Sequence, residues 1–534
     1  MDSKVNNLQL EKIFSGQRPT PTEEQYIELA KELNGKSRIS LLKEGIQYFP
    51  FSNKIMNLLK EENVQTKMIR RYSKALICKK KKPTTHFFRQ GAQYLLLHND
   101  ESNAAKLMKI GLEKNKSNYS LLVASAENAM KLFDWALAED LYSQIAMIKA
   151  TPELLYDIEV LRQLQGKESR MTETIEKIHT QFKGKYNSLF TDSYRIYTLF
   201  DNGKSRIELY KHIEPATEVV ATFDTIDKSW DLVPFAYNLV KKNKKDLVSL
   251  RRNHTRNFHQ DISKEQYSDT TDAIFSQYEH KFAYGTSLGG YSSLYYGSNI
   301  DGVRILSMAP RNSAHPEYGS PNILVREPFK HISPHPVNTN ENITIIYDPR
   351  NPNDENYIAS QILPSYPNAQ VLRIPYAGHR IPKFLSQTGQ LRPTVKEFLG
   401  KKTITPIKRG DLRRHSMEYY WVMAERTLAH KHFSWSLQFA EQSISMDMNF
   451  DRPYATKTEA LLGLNRIDEA IEHATISNAM FGTQYKYAIL LADCHEANGD
   501  IPAAIAVLEE FSQFKVVSKV RKMIKRLQEV AVVQ

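Results

Sequence analysis

The pentapeptide Gly285-Thr286-Ser287-Leu288-Gly289 sets a serine between two glycines at the spacing Gly-x-Ser-x-Gly. Before it, the apolar run Phe282-Ala283-Tyr284 reads as a short buried strand. After it, Gly290-Tyr291-Ser292-Ser293-Leu294-Tyr295-Tyr296 reads as the start of a helix. A sharp turn from strand to helix exposes the serine hydroxyl. It also puts that hydroxyl at a helix N-terminus, where backbone N–H groups favour negative charge. The glycines follow from the tightness of the turn, since a Cβ at 285 or 289 would strike the adjoining strand and helix. The chemistry this predicts is nucleophilic: Ser287 Oγ attacks a carbonyl and carries the acyl group as a covalent intermediate.

Such a serine needs a base, an acid that orients the base, and donors for the oxyanion. The β-branched run Ile343-Thr344-Ile345-Ile346-Tyr347 ends in Asp348-Pro349. The next strand, Val371-Leu372-Arg373-Ile374-Pro375, ends in Tyr376-Ala377-Gly378-His379. The expected constellation is Ser287 as nucleophile, His379 as general base and then acid, and Asp348 as the orienting acid. Asp354 is the alternative acid, although an aspartate ahead of a helix also suits an N-cap. His315, His331 and His335 have no strand end behind them and read as polar loop residues. One oxyanion donor is expected at the N–H of Leu288. The second is placed after the strand Val219-Val220-Ala221-Thr222-Phe223, at Thr225 or its neighbour Asp224.

Strands are expected at 219–223, 247–250, 282–284, 303–309, 343–347 and 371–375, with helices over about 356–363 and 384–399. Alternation of this kind implies a mostly parallel sheet. In such sheets functional groups gather at the carboxyl ends of strands, where Ser287, Asp348 and His379 all fall.

The Gly-Thr-Ser-Leu-Gly-Gly-Tyr stretch, the Gly-His after the last strand and the order Ser, Asp, His resemble the α/β-hydrolase superfamily over about residues 205–402. More narrowly, the layout is similar to the α/β-hydrolase-type O-acetyltransferases and esterases of bacterial capsule and surface-polysaccharide clusters. The resemblance implies a compact α/β-hydrolase core that lacks the first strands and a large lid. It also implies O-acetylation of a capsular polysaccharide through an acyl-enzyme. Acetyl-CoA is then a co-substrate, no cofactor is bound, and an acidic polysaccharide or other glycan is the acceptor. If water takes the acyl group, the protein is instead a carbohydrate esterase or deacetylase. A further alternative is a non-catalytic tetratricopeptide (TPR) scaffold with a degenerate hydrolase core.

The flanks carry a repeat. Phe433, Ile467 and Ile501 are 34 residues apart, and Ser436, Ala470 and Ala504 keep the same offset. Small residues where helices cross, at that period, are the tetratricopeptide signature. Helix pairs are expected at about 417–429 with 433–446, 453–463 with 467–480, and 484–497 with 501–513, then a capping helix over 515–531. The N-terminal region shows degenerate counterparts in Asp134-Trp135-Ala136-Leu137-Ala138 and Ser102-Asn103-Ala104-Ala105. The expected domains are an α-helical TPR-like domain over 1–200, the catalytic α/β domain over 201–402 and a TPR domain over 403–534. The TPR surfaces are candidate sites for a protein partner.

The chain of 534 residues is long enough for several domains, and its 41% hydrophobic content is ordinary for a water-soluble protein. No apolar run approaches the roughly 18 residues that cross a membrane, and the first residues lack a secretory layout. The expected location is cytoplasmic, with peripheral association at the inner membrane face as a variant. Cys78 and Cys494 are too far apart in sequence to suggest a disulfide or a metal site. The net charge of +12 favours an acidic partner, and no nucleic-acid recognition motif accompanies it. Basic residues cluster at Lys79–Lys82 and between Lys241 and Arg256. Arg251, Arg252, His254 and Arg256, with His259 nearby, are the candidate substrate-binding residues, since they follow the strand at 247–250.

Overall fold

The computed structural model describes residues 22–49, 52–61, 85–97, 100–253, 257–319, 328–408 and 410–533. Two compact units divide the chain, Met1–Thr191 and Asp192–Gln534. The helical region ends before 200 because a strand, β1 (Tyr194–Asp201), begins at Tyr194. The sheet and the C-terminal helices, expected as two domains, fall within one unit.

The first unit is built of antiparallel helix pairs. Tyr119–Lys131 packs on Trp135–Ile148, which packs on Pro152–Leu164. Asp100, Asn118, Asp134 and Thr151 each accept a backbone N–H three residues on, which satisfies orphan donors at the helix starts. Asp100 and Asp134 are 34 residues apart, as are the fully buried Ala104 and Ala138. The period is therefore present here too, carried by caps and small residues.

In the second unit the C-terminal helices are Met417–Ala429, Phe433–Met446, Arg452–Gly463, Ile467–Phe481, Tyr485–Ala497, Ile501–Phe514 and Ser518–Val533. Lys431, Asn465 and Gly499 occupy the same turn in each pair, with φ of 60°, 59° and 79°. This left-handed residue stops the first helix. The next N–H then reaches back: His432 to Thr427, Arg466 to Leu461 and Asp500 to His495, at 2.8–3.0 Å. Phe133, with φ of 58°, does the same in the first unit. Ser436, Ala470 and Ala504 are fully buried where the helices cross.

One eight-stranded sheet completes the unit, in the order β1-β2-β4-β3-β5-β6-β7-β8. The strands are β1, β2 (Ser205–His212), β3 (Glu218–Phe223), β4 (Asp246–Arg252), β5 (His280–Thr286), β6 (Val303–Met308), β7 (Ile343–Tyr347) and β8 (Gln370–Arg373). From β4 to β8 all neighbours are parallel, while β1, β2 and β4 pair antiparallel. Two strands, β1 and β2, precede the first strand expected, at 219–223. Val220, Phe282, Tyr284, Leu306, Met308 and Ile346 alternate onto one face and pack with Phe384, Leu385, Val395 and Phe398. Each such large side chain contributes about 2 kcal/mol of burial. The single helix expected over 384–399 is two, Ile381–Gln387 and Leu391–Leu399, separated by Gly389 at φ 72°.

Candidate active site

The turn at the end of β5 is as tight as the glycines imply. A Cβ on Gly285 would overlap the carbonyl of Gly289, and one on Gly289 would overlap the carbonyl of Phe223 in β3. Ser287 stands between them with φ 54° and ψ −120°, caps the helix Leu288–Tyr295, and is half-buried. A non-glycine residue in that region stores about 1–3 kcal/mol of strain. The strain is held from both sides, because Ser287 N–H donates to Met308 O at 2.9 Å and Ser287 O accepts Arg311 N–H at 3.1 Å.

His379 lies 2.8 Å from Ser287 Oγ through Nε2. Its Nδ1 lies 2.9 Å from both carboxylate oxygens of Asp354. These contacts fix the tautomer: Nδ1–H donates to Asp354, and Nε2 accepts from the serine hydroxyl. Asp354 is fully buried and sits in the first turn of the helix Pro352–Tyr357, whose N-cap is Asn351. Asp354 is thus the acid against the imidazole, and the preference for Asp348 is corrected. Asp348 is equally buried, but its carboxylate accepts three backbone N–H groups: Arg350 at 2.8 Å, Tyr376 at 2.9 Å and Gly378 at 2.8 Å. Burial pushes its carboxyl up, and those N–H donors pull it down. Asp348 therefore ties the end of β7 to the loop that carries His379. That loop is backed by the C-terminal helices, since a Cβ on Gly378 would come 2.7 Å from Val422.

On the oxyanion side, Leu288 opens its helix, so its N–H has no intrahelical acceptor. Thr225 lies two residues past β3, and Ile226 packs against the cluster of Phe258, Leu288 and Ala314. Arg251 and Arg252, expected to touch substrate, are 1% and 2% exposed. Arg251 bonds Asp224 at 2.8 Å, Glu208 at 3.1 Å and the carbonyl of Ser229 at 2.9 Å. Arg252 bonds the carbonyl of Ile226 at 3.2 Å. Both pin the loop that carries Thr225. β2 pairs alongside β4 as far as both arginines, and Arg251 is neutralised inside the protein by Asp224 and Glu208. His254 and Arg256 lie outside the described residues, as do Cys78 and Lys79–Lys82. The basic stretch from Lys241 is largely neutralised locally, by Lys241 with Asp192, Lys244 with Glu214 and Lys245 with Glu218.

His315, His331 and His335 are buried rather than polar loop residues, and His259, expected near the substrate-binding arginines, is buried too. They pack beside the helix that follows Ser287. His259 Nδ1 is 2.9 Å from Ser292 Oγ, His331 Nδ1 is 2.9 Å from Tyr291 OH, and His335 Nδ1 is 2.7 Å from Tyr366 OH. Burial holds His259 and His335 well below the usual histidine range and His331 at about 4. They are neutral packing groups. Among the described residues no group of three or more His, Cys, Asp or Glu could hold a metal ion, and no helix is long and apolar enough to cross a membrane. Cys494 is a buried free thiol.

No protein-family model and no curated protein matches the chain. Solved structures do match along most of its length. One is an APC/C hetero-tetramer, Cut9–Hcn1, at 12% identity, covering 96% of this chain and 72% of that one, with a TM-score of 0.21. Another is Naa15/Naa10 bound to HypK-THB, at 11% identity, 95% and 66% coverage, and a TM-score of 0.27. A third is yeast Tom70, at 11% identity, 94% and 97% coverage, and a TM-score of 0.21. These are TPR-like helical repeat proteins, and neither an α/β-hydrolase nor an acyltransferase is among them. The resemblance to the α/β-hydrolase superfamily and to polysaccharide O-acetyltransferases is corrected accordingly. What stands is a mostly helical chain with one mixed sheet.

Proposed function

We propose that this chain is a serine esterase that forms an acyl-enzyme on Ser287 and passes the acyl group to water. The observation that carries the reading is the continuous line of hydrogen bonds from Ser287 Oγ through His379 to buried Asp354. Ser287 Oγ attacks the ester carbonyl as its proton moves to His379 Nε2. The carbonyl oxygen becomes an oxyanion facing the N–H groups of Leu288 and Thr225. Collapse breaks the bond to the alcohol, which leaves with the proton from Nε2. Water then repeats the sequence on the acyl-Ser287 ester, and the acid is released. Asp354 keeps Nδ1 protonated and stabilises the imidazolium in both halves. Acetyl-CoA and a glycan acceptor, expected from the resemblance and the chain's positive charge, are not part of this reading.

A second reading is a non-catalytic helical-repeat scaffold that binds protein. The helix pairs with a shared left-handed turn at Lys431, Asn465 and Gly499 favour it. Hydrolysis of 4-nitrophenyl acetate separates the two. The esterase reading predicts turnover that disappears in Ser287→Ala at an unchanged melting temperature. Equal rates in the two proteins would remove Ser287 as nucleophile and leave the scaffold.

A further inference from the structure

The C-terminal helices reach the catalytic histidine, and they bring positive charge with them. A cavity of about 360 Å³ is walled by His379 and Arg380 on the sheet side. Trp421, Glu425, Arg426 and Arg452, from the helices Met417–Ala429 and Arg452–Gly463, wall it on the other side. Asp348 also faces it, but its oxygens are taken up by three backbone N–H groups.

The position of the cavity says which part of a substrate it would hold. This step rests on the esterase reading above. In acyl transfer the imidazole delivers its proton to the departing oxygen. The alcohol portion of the ester must therefore lie beside His379, the one residue of the Ser287, His379 and Asp354 set that walls the cavity.

The charges say what that portion carries. Three arginines, Arg380, Arg426 and Arg452, line the cavity, and besides Asp348 the one acidic residue lining it is Glu425, whose carboxyl burial pushes up. Arg452 lies 4.8 Å over the ring of Trp421, and Arg380 lies 5.4 Å over the ring of Phe450. Aromatic faces hold a cation in place without neutralising it. Glu418 stands behind Arg380, with 3.7 Å between Nε and the carboxylate. It is fully buried, and burial pushes its carboxyl up to about 7, against the pull of Arg380 and Arg452. A planar guanidinium pairs with a carboxylate through two parallel hydrogen bonds.

We infer that the substrate is an ester whose alcohol portion bears an anionic group, a carboxylate in the simplest case, seated between Arg380, Arg426 and Arg452. The C-terminal repeat is then part of the substrate site, and its first two helix pairs set specificity.

The test compares 4-acetoxybenzoate with methyl 4-acetoxybenzoate on the full chain. The two share the acetyl group and the aryl alcohol and differ in the carboxylate. The quantity read is the ratio of kcat/KM for the charged ester to that for the neutral one. Arg426→Gln and Arg452→Gln should each lower the ratio about tenfold, through KM, as loss of a charge-assisted hydrogen bond does. Added salt should lower it in the wild type. Arg414→Gln, on an exposed side chain outside the cavity, should leave it unchanged. Melting temperatures confirm that each variant is folded. A neutral ester that is cleaved, with a ratio that moves in neither cavity variant, would overturn the inference and leave the esterase reading intact. Failure to cleave either ester, with Ser287 unreactive, would sink the esterase reading and the inference together.

Discussion

Asp354→Asn and Asp348→Asn should fail in different ways, and the difference follows from what each carboxylate touches. Asp354 meets one partner, His379 Nδ1, through both oxygens at 2.9 Å. The Asp354→Asn variant would present an amide of the same shape, and the imidazole would place its proton on Nε2, facing Ser287. A base with its proton already in place accepts none. Loss of kcat on the order of 10⁴ follows, or about 5 kcal/mol of transition-state stabilisation, with little change in the melting temperature. Asp348 meets three backbone N–H groups through two oxygens. An amide has one acceptor oxygen, so Asp348→Asn turns an NH₂ toward at least one of those donors in a site 1% exposed. The cost is about 2 kcal/mol of stability, with about a tenfold fall in kcat as the His379 loop loosens. Turnover of 4-nitrophenyl acetate and thermal unfolding, measured on both variants, separate the two roles. Near-normal activity in Asp354→Asn, beside an inactive Asp348→Asn of unchanged melting temperature, would refute the assignment.

Three other outcomes follow from the same contacts. Gly289→Ala drives a methyl into the Phe223 carbonyl and should cost about 3 kcal/mol while abolishing turnover; a variant with native melting temperature and rate would contradict the turn geometry. Arg251→Met strands the buried carboxylates of Asp224 and Glu208 and should lower unfolding free energy by about 3–5 kcal/mol, read from urea midpoints; an unchanged midpoint would contradict it. His259, His331 and His335 are held below the usual histidine value, His331 at about 4. The unfolded chain takes up their protons first, so the stability they contribute is full above about pH 6.5 and is lost as pH falls toward the folded values. Each adds a slope of up to about 1.4 kcal/mol per pH unit. Urea midpoints should fall between about pH 7 and about pH 5.5, and a flat profile would contradict the burial of these groups.

Features set by local geometry were legible in the sequence, and features set by distant neighbours were not. The spacing of Gly285, Ser287 and Gly289 marks the turn because a Cβ at 285 would strike backbone only four residues on, although one at 289 strikes Phe223 in β3. The 34-residue recurrence of Phe433, Ile467 and Ile501 likewise reports contacts between adjacent helices. Which aspartate meets His379 was not legible, because Asp348 and Asp354 lie on one strand-to-helix connection and differ only in where the side chain reaches. Arg251 and Arg252 misled for a related reason. Basic residues at a strand end read as a rim, and only contacts distant in sequence, Arg251 with Glu208 and the Ser229 carbonyl and Arg252 with the Ile226 carbonyl, make them interior. The histidines at 331 and 335 carry no periodic signal, and only their tyrosine neighbours in space make them interior. The hydrolase resemblance read a short motif and its flanks as a family, whereas most of the chain is helical.

The central claim is that Ser287 is an activated nucleophile, and labelling by a serine-directed fluorophosphonate probe tests it most directly. The account predicts a single adduct, mapped by mass spectrometry to Ser287, absent from Ser287→Ala and greatly slowed in His379→Ala. Folded protein that takes up no label, or labels as fast without His379, would contradict it.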